Sequence, residues 1–241
     1  LQDWQGFDNP KIVIENHAMK KALGMEDTEH RELLEIFNGN KKIGSLKPLS
    51  MVYSGHQFGQ YVEQLGDGRG LLFAQINSNE GLLDIHLKGA GKTPYSRFGD
   101  GRAVLRSVIR EYLCGEAMHA LSIPTSRALM IIGSDEMVIR EKSESAAMLV
   151  RTAKTHIRFG SFEYFHYNNK HEHVKALADF CINSYPQYFS KTTNAYIDFF
   201  RVIVKETAKM IARWQACGFN HGVMNTDNMS ILGETFDYGP Y

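Results

Sequence analysis

Residues 82 to 91 of this 241-residue chain read Leu-Leu-Asp-Ile-His-Leu-Lys-Gly-Ala-Gly. Apolar and polar side chains alternate up to Lys88, which is typical of a β-strand with two different faces. Gly89 and Gly91 then allow an unusual backbone path close to the lysine. Lys88 could therefore project into a cleft, although a lysine at the end of a strand is more commonly just a solubilising charge.

A helix is predicted from Arg102 to Leu121, and Glu111 lies on its apolar side. With about 100° between successive residues, Glu111 shares a stripe with Val104, Val108, Gly115 and Met118. A buried carboxylate without a partner is costly, so Glu111 needs a cation, and Lys88 is the candidate. Kinase-like folds hold the lysine that binds ATP phosphates in this way. A purely structural ion pair is the alternative.

The segment from residue 221 to 239 carries a second kinase-like spacing. Asn228 follows His221 by seven residues, and Asp237-Tyr-Gly stands where the second acidic motif is expected. Val223 occupies the usual position of the catalytic aspartate, and Asp227 is the neighbouring carboxylate. Asn228 and Asp237 offer hard oxygen ligands for Mg²⁺ or Mn²⁺. The alternative is an Asx-rich turn between a helix and a strand.

The charges are balanced in total but uneven along the chain. Lys plus Arg number 27 and so do Asp plus Glu, so we expect neither nucleic acid nor a membrane as a partner. Basic residues are concentrated between residues 86 and 110, and again at Arg151, Lys154 and Arg158. A guanidinium group can bind two phosphate oxygens at once. A local anion site is therefore expected. A solvated basic face is the alternative.

The tetrapeptide Gly-Asp-Gly-Arg occurs twice, at residues 66–69 and 99–102. Two tight turns would account for it, since Asp-Gly is a favoured turn pair. The second copy is predicted to open the helix that carries Glu111, where backbone N–H groups would be available to a phosphate.

The remaining pattern predicts an α+β protein with two lobes and a cleft between them. Strands are predicted over 71–76, 82–88, 128–132, 137–140 and 148–151, and helices over 26–37, 102–121, 174–184 and 195–217. Residues 1–50 otherwise suggest loops and short helices. The sheet-rich lobe is predicted to span residues 1–152 and the helical lobe residues 153–241.

Sequence features also bear on the compartment. No run of about 18 apolar residues occurs, and residues 1–20 do not have the pattern of a signal peptide. Cys114, Cys181 and Cys217 are far apart and form no C-x-x-C pair, which favours a reducing compartment. We expect the protein to be cytoplasmic if it is bacterial and mitochondrial if it is eukaryotic. We do not expect it to be secreted.

Long strings of this chain resemble the selenoprotein O family, a bacterial nucleotidyltransferase family with a kinase-like fold. The matching strings are residues 53–59 (Tyr-Ser-Gly-His-Gln-Phe-Gly), 64–70, 86–107, 221–230 and 237–240. Members of that family are much longer, so the chain is interpreted as a fragment with an incomplete helical lobe.

The resemblance implies transfer of AMP from ATP, bound in a flipped orientation, to Ser, Thr or Tyr hydroxyls of proteins, with Mg²⁺ or Mn²⁺. It implies a nucleotide cradle made by Gly66, Gly68, Arg69, Asp100 and Gly101. Phosphate binding would fall to Lys88, paired with Glu111, and to Arg151 and Arg158. Asp227 would accept the hydroxyl proton, and Asn228 and Asp237 would hold the metal, with Asp237 thereby also contacting the nucleotide. Val223 agrees with the family pattern.

Two other functions are compatible with the same residues. A divergent kinase would transfer the γ-phosphoryl group of ATP, and a pseudokinase-like module would bind nucleotide without catalysis.

Overall fold

The computed structural model describes residues 1–79, 81–189 and 193–238. They form two compact units: residues 1–51, 66–121 and 126–154 make up the first, and residues 52–65, 122–125 and those from 155 onward make up the second. The second unit thus includes two segments that precede the predicted boundary at residue 152. The chain contains both a sheet and helices, which confirms the α+β class.

Within the described residues, the first unit contains a six-stranded antiparallel sheet in the order β1-β7-β8-β5-β4, with β6 paired to β8. Its elements are β1 (Lys11–Glu15), α1 (His17–Ala22), α2 (His30–Asn38), β4 (Gly70–Ser78), β5 (Gly81–Lys88), β6 (Ala103–Val104), α3 (Leu105–Ala120), β7 (Arg127–Ile139) and β8 (Ser143–Ala153).

Apolar side chains cover both faces of this sheet. Leu83, Ile85 and Leu87 of β5 are buried in a cluster that also contains Met19 of α1 and Phe37 of α2. In a second apolar cluster, residues of α3 pack against residues of β7 and β8. The polar residues of β5 are therefore buried as well, and Lys88 is among them.

The second unit contains the hairpin of β2 (Gly55–Gln57) and β3 (Gln60–Val62), followed by α4 (Phe159–Tyr167), α5 (His171–Ser184) and α6 (Ala195–Ala216). Its largest buried side chains include Trp214 and Tyr185. As predicted, α6 ends before Gly218, whose φ of 77° is a left-handed conformation that glycine adopts readily.

Several predicted elements need correction. Helix α3 begins at Leu105 and not at Arg102, because Ala103 and Val104 pair with Ala147 and Ala146 of β8. The strands predicted over 128–132 and 137–140 are one strand, β7, whose register shifts between Gly133 and Met137. Helix α2 starts at residue 30 rather than 26, and the prediction missed β1, the β2–β3 hairpin and α4.

Within the described residues, no helix is both long and apolar enough to cross a bilayer.

Candidate functional site

In the first unit, a buried carboxylate lies between two cations. Lys88 Nζ donates to Glu111 Oε2 at 2.5 Å, and Arg151 Nη1 donates to Glu111 Oε1 at 2.8 Å. All three side chains are at least nine-tenths buried. The ion pair expected between Lys88 and Glu111 is thus present, and Arg151 joins it. We call Lys88, Glu111 and Arg151 the ion trio.

The sheet register explains how the trio assembles. Strands β5 and β8 pair so that His86 lies opposite Arg151 and Lys88 opposite Leu149. Glu111 comes from the buried stripe of α3, with Val108 and Met118. One carboxylate and two cations sum to a formal charge of plus one, and charge-assisted contacts of this kind are suited to binding phosphate.

The first Gly-Asp-Gly-Arg copy is a tight loop packed against the segment that follows β5. Gly66 has φ of 92°, and a Cβ there would lie 2.6 Å from Tyr95 Cγ. Thr93 Oγ1 donates to the Asp67 carbonyl oxygen at 2.7 Å, and Ser96 Oγ donates to that of Gly68. Arg69 is exposed, and its carbonyl oxygen accepts the Gly89 N–H at 2.6 Å. The structure thus brings Gly66, Gly68 and Arg69 close to the loop after Lys88.

The second copy holds the chain together through ion pairs. Asp100 accepts from both terminal nitrogens of Arg140, at 2.7 and 2.9 Å, and this contact lowers the pKa of Asp100. Gly101 has φ of 76°, and a Cβ there would lie 2.1 Å from the Gly91 carbonyl carbon. These contacts fix the loop backbone at the point where it returns to Gly91.

The prediction that this copy opens the helix and makes its N–H groups available to a phosphate is wrong. The guanidinium group of Arg102 is buried and binds Glu136 and the carbonyl oxygens of Gln5 and Gly6. It therefore anchors the N-terminal segment, and α3 begins three residues later.

In the second unit, Asp227 is a buried carboxylate with two unlike oxygens. Gln57 Nε2 donates to Oδ2 at 2.8 Å. Within the described ranges, Oδ1 accepts no hydrogen bond. Burial raises the pKa of Asp227, and the charge of Asp237 acts in the same direction, whereas the backbone N–H of Asp227 itself, Gln57 and Arg158 oppose it. This carboxyl group therefore takes up a proton more readily than an exposed aspartate would.

Arg158 supports the loop that carries Asp227. Its Nη1 donates to the Asp227 carbonyl oxygen at 2.8 Å, and its guanidinium carbon lies 4.2 Å from the ring centroid of Tyr53 and 4.8 Å from that of Phe236. Contact with the faces of two rings restrains a guanidinium group. Arg158 is thus held rigidly in the same unit as Asp227.

Asn228 follows Asp227 directly in the chain, and the charge of Asp237 acts on the Asp227 carboxyl group. Asn228 Nδ2 donates to the Val223 carbonyl oxygen at 3.3 Å, and the Asn228 carbonyl oxygen accepts the N–H of Phe236, next to Asp237. Gly239, which completes the predicted acidic motif, lies outside the described residues, as does Pro240.

The donor chemistry around Asp227 fits a hard divalent cation. The Asp237 carboxylate and the Asn228 amide oxygen are ligands of the kind that Mg²⁺ takes, alongside phosphates and water. Among the described residues, no group of three His, Cys, Asp or Glu is arranged to hold a metal. Asn228 would contribute an amide oxygen, and Mg²⁺ is usually bound by only one or two protein carboxylates.

His221 has a structural role in this loop. Its Nδ1 accepts the Val223 N–H at 3.2 Å, and its Nε2 lies 2.9 Å from Thr235 Oγ1. The first contact fixes the proton of a neutral ring on Nε2, which then donates to the threonine. Burial lowers the pKa of His221, although Asp237 opposes this shift. Neutral His221 therefore braces the turn that contains Val223.

Sequence reasoning missed Gln57, the residue that holds Asp227. The string at residues 53–59 was recognised as part of the family resemblance, but no role was assigned to it. A two-stranded hairpin this short carries no periodicity, and the partner of Gln57 lies 170 residues away.

Comparison with known proteins identifies the family. The chain matches the model described as "Protein adenylyltransferase SelO" over residues 3–241. It is 54% identical over 242 residues to the protein nucleotidyltransferase YdiU of Vibrio parahaemolyticus, covering 100% of this chain and 50% of that protein. Its identity to the protein of that name from Myxococcus xanthus is 52% over 238 residues, with 98% and 49% covered.

The chain spans about half the length of the curated relatives it matches. The long motifs that suggested the family therefore belong to a match over nearly the whole chain, and the chain is a member of the protein adenylyltransferase SelO family.

Proposed function

We propose that the protein containing this chain transfers AMP from ATP to Ser, Thr or Tyr hydroxyls of other proteins. The observation that carries the proposal is Asp227, a buried carboxylate whose Oδ1 accepts no hydrogen bond within the described ranges. It lies in the loop where the hydrocarbon side chain of Val223 occupies the position of a kinase base. The family's description as an adenylyltransferase supports the same reaction.

The ion trio would bind the phosphates of ATP. Lys88 and Arg151 are both held by Glu111, so neither cation has to be ordered when the nucleotide arrives. Arg158, which contacts the rings of Tyr53 and Phe236, would bind a further phosphate. We propose a kinase-like fold with the nucleotide flipped, so that the α-phosphorus is the atom that is attacked.

The chemistry then follows from Asp227. The Asp227 carboxylate accepts the proton of the substrate hydroxyl as the hydroxyl oxygen forms a bond to the α-phosphorus. The bond between the α-phosphorus and the bridging oxygen breaks, and pyrophosphate leaves with the electron pair. Asn228 and Asp237 would hold Mg²⁺ or Mn²⁺, which supplies neutralisation of phosphate charge when bound.

The test uses the full-length protein and ATP labelled at either the α or the γ phosphate. We expect transfer of the α label to protein and none of the γ label. Labelling from the γ position alone would make the protein a kinase. Nucleotide binding with no transfer of either label to protein would indicate a non-catalytic module.

A further inference from the structure

The β2–β3 hairpin contacts Asp227 directly, although the proposed function gives the hairpin no role. Gln57, the last residue of β2, donates from Nε2 to Asp227 Oδ2 at 2.8 Å. We propose that Gln57 is a positioning residue that fixes the carboxylate of Asp227 for catalysis. This inference rests on the proposed function, because it assumes that Asp227 is the proton acceptor.

The hairpin is tied to the Asp227 loop independently of Gln57. The backbone N–H of His56 donates to Thr226 Oγ1 at 2.8 Å, and Thr226 Oγ1 donates to Glu163 Oε2 at 2.7 Å. His56 Nδ1 lies 3.0 Å from the other oxygen of Glu163. The residues just before Gln57 and Asp227 are thus joined through one glutamate of α4, and loss of the Gln57 amide would leave the hairpin in place.

Backbone hydrogen bonds also hold the segment before the hairpin and the Asp227 loop against α4. Ser54 N–H donates to the Gly160 carbonyl oxygen at 3.0 Å, and Gly160 N–H donates to that of Thr226 at 2.9 Å. A Cβ at Gly160 would lie 2.0 Å from the Ser54 carbonyl oxygen, so only glycine fits there. The chain segments that contain Ser54, Gly160 and Thr226 therefore meet here. Asp227 directly follows Thr226 in the sequence.

Gly55 and Gln57 approach different oxygens of the carboxylate. A Cβ at Gly55 would lie 2.6 Å from Asp227 Oδ1, whereas the Gln57 amide binds Oδ2. The amide therefore fixes the rotation of the carboxylate and leaves Oδ1 as the oxygen without a donor among the described residues. An amide does this without the positive charge that a lysine or an arginine would add.

The test is Gln57→Leu in the full-length protein, with Gln60→Leu as the matched control. Gln60 is the same residue type on the same hairpin, is directly opposite Gln57, and has an exposed side chain. We expect Gln57→Leu to lower kcat about tenfold or more while the KM for ATP stays within about twofold. Gln60→Leu should leave both constants unchanged. Equal kcat values in the two variants would overturn the inference.

A purely structural role is separated by combining Gln57→Leu with Asp227→Ala. If Gln57 acts through Asp227, the double variant should be no slower than Asp227→Ala alone. An additional tenfold loss in the double variant would overturn the inference. Should Gln57→Leu melt at a lower temperature than wild type, Gln57→Glu gives the same test, because it keeps the shape and opposes Asp227 with a second carboxylate. A wild-type kcat in folded Gln57→Glu would contradict the proposal.

The outcome for Asp227 itself separates this inference from the proposed function. Near-normal turnover of Asp227→Ala would overturn the proposed acceptor and the role of Gln57 with it. A large loss in Asp227→Ala together with wild-type turnover of Gln57→Leu would overturn only the role of Gln57.

Discussion

Glu111 in the first unit and Asp227 in the second are both buried carboxylates, but their partners differ. Each oxygen of Glu111 accepts a hydrogen bond from a cation, whereas Asp227 has a neutral amide on one oxygen and, among the described residues, no donor on the other. A buried carboxylate that binds a cation through each oxygen is held in one orientation. A carboxylate that is buried with less compensation is better able to take up a proton, as expected of a group that does chemistry.

The largest effect that this comparison predicts is on stability, from Glu111→Gln. The substitution leaves Lys88 and Arg151 buried with a neutral amide between them. Removing one partner of a buried ion pair typically costs about 3 to 5 kcal/mol, so we expect a loss of unfolding free energy of that size. Urea denaturation measures it. The control is Glu144→Gln, which breaks the ion pair with the exposed Arg106 and should cost less than about 1 kcal/mol.

Asp227→Ala should have the opposite signature. Removal of a carboxylate that is incompletely compensated costs little stability, but loss of a general base should lower turnover by about 10²-fold or more. Nucleotide affinity should change little, because Asn228 and Asp237 remain. Asp237→Ala should instead lose metal affinity and activity together. Turnover and nucleotide binding measured for both variants check this, and near-normal turnover of Asp227→Ala would remove it as the base.

Lys88→Met sharpens the role of the trio. It removes one cation but leaves Glu111 paired with Arg151, so the fold should survive. If Lys88 binds phosphate, ATP affinity should fall about tenfold or more, since hydrogen bonds to charged groups contribute roughly 1.5 to 3 kcal/mol. Lys92→Met is the control, because Lys92 is an exposed lysine in the segment after β5. Equal ATP affinities of the two variants, measured by calorimetry, would contradict a phosphate-binding role for Lys88.

The sequence could predict what depends on local periodicity. The alternation in β5 and the helical stripe of α3 each give the orientation of one side chain, and the pairing of Lys88 with Glu111 follows. Arg151 was expected to bind phosphate, but its contact with Glu111 depends on the register of β5 against β8, which no local pattern encodes.

The wrong or missing predictions also concern features that local periodicity does not determine. The start of α3 was misplaced because a two-residue ladder to β8 holds Ala103 and Val104 in a strand, and because Arg102 binds Gln5 and Gly6, almost a hundred residues earlier in the chain. Strand β7 was predicted as two strands because Ser134, Asp135 and Glu136 interrupt its apolar pattern. Gln57 was missed because its partner is distant in sequence.

The smallest predicted effect concerns a third carboxylate, Asp100, which belongs to neither class. It is partly exposed, and Arg140 lowers its pKa in the folded state. A lowered pKa contributes stability that is present above the unfolded value of about 3.9 and is lost as the pH falls through the folded value. Because solvent screens the pair, its contribution should be below about 1 kcal/mol.

Arg140→Met should therefore lower the melting temperature slightly at pH 7. The difference from wild type should shrink as the pH falls below about 4, where Asp100 takes up a proton in the unfolded chain, and then through the lower folded value of wild type. The measurement is the melting temperature of both proteins from pH 7 to pH 3. A difference that stays constant over this range would mean that Arg140 stabilises the loop through its hydrogen bonds to the carbonyl oxygens of Arg102 and Ile139 rather than through the charge of Asp100.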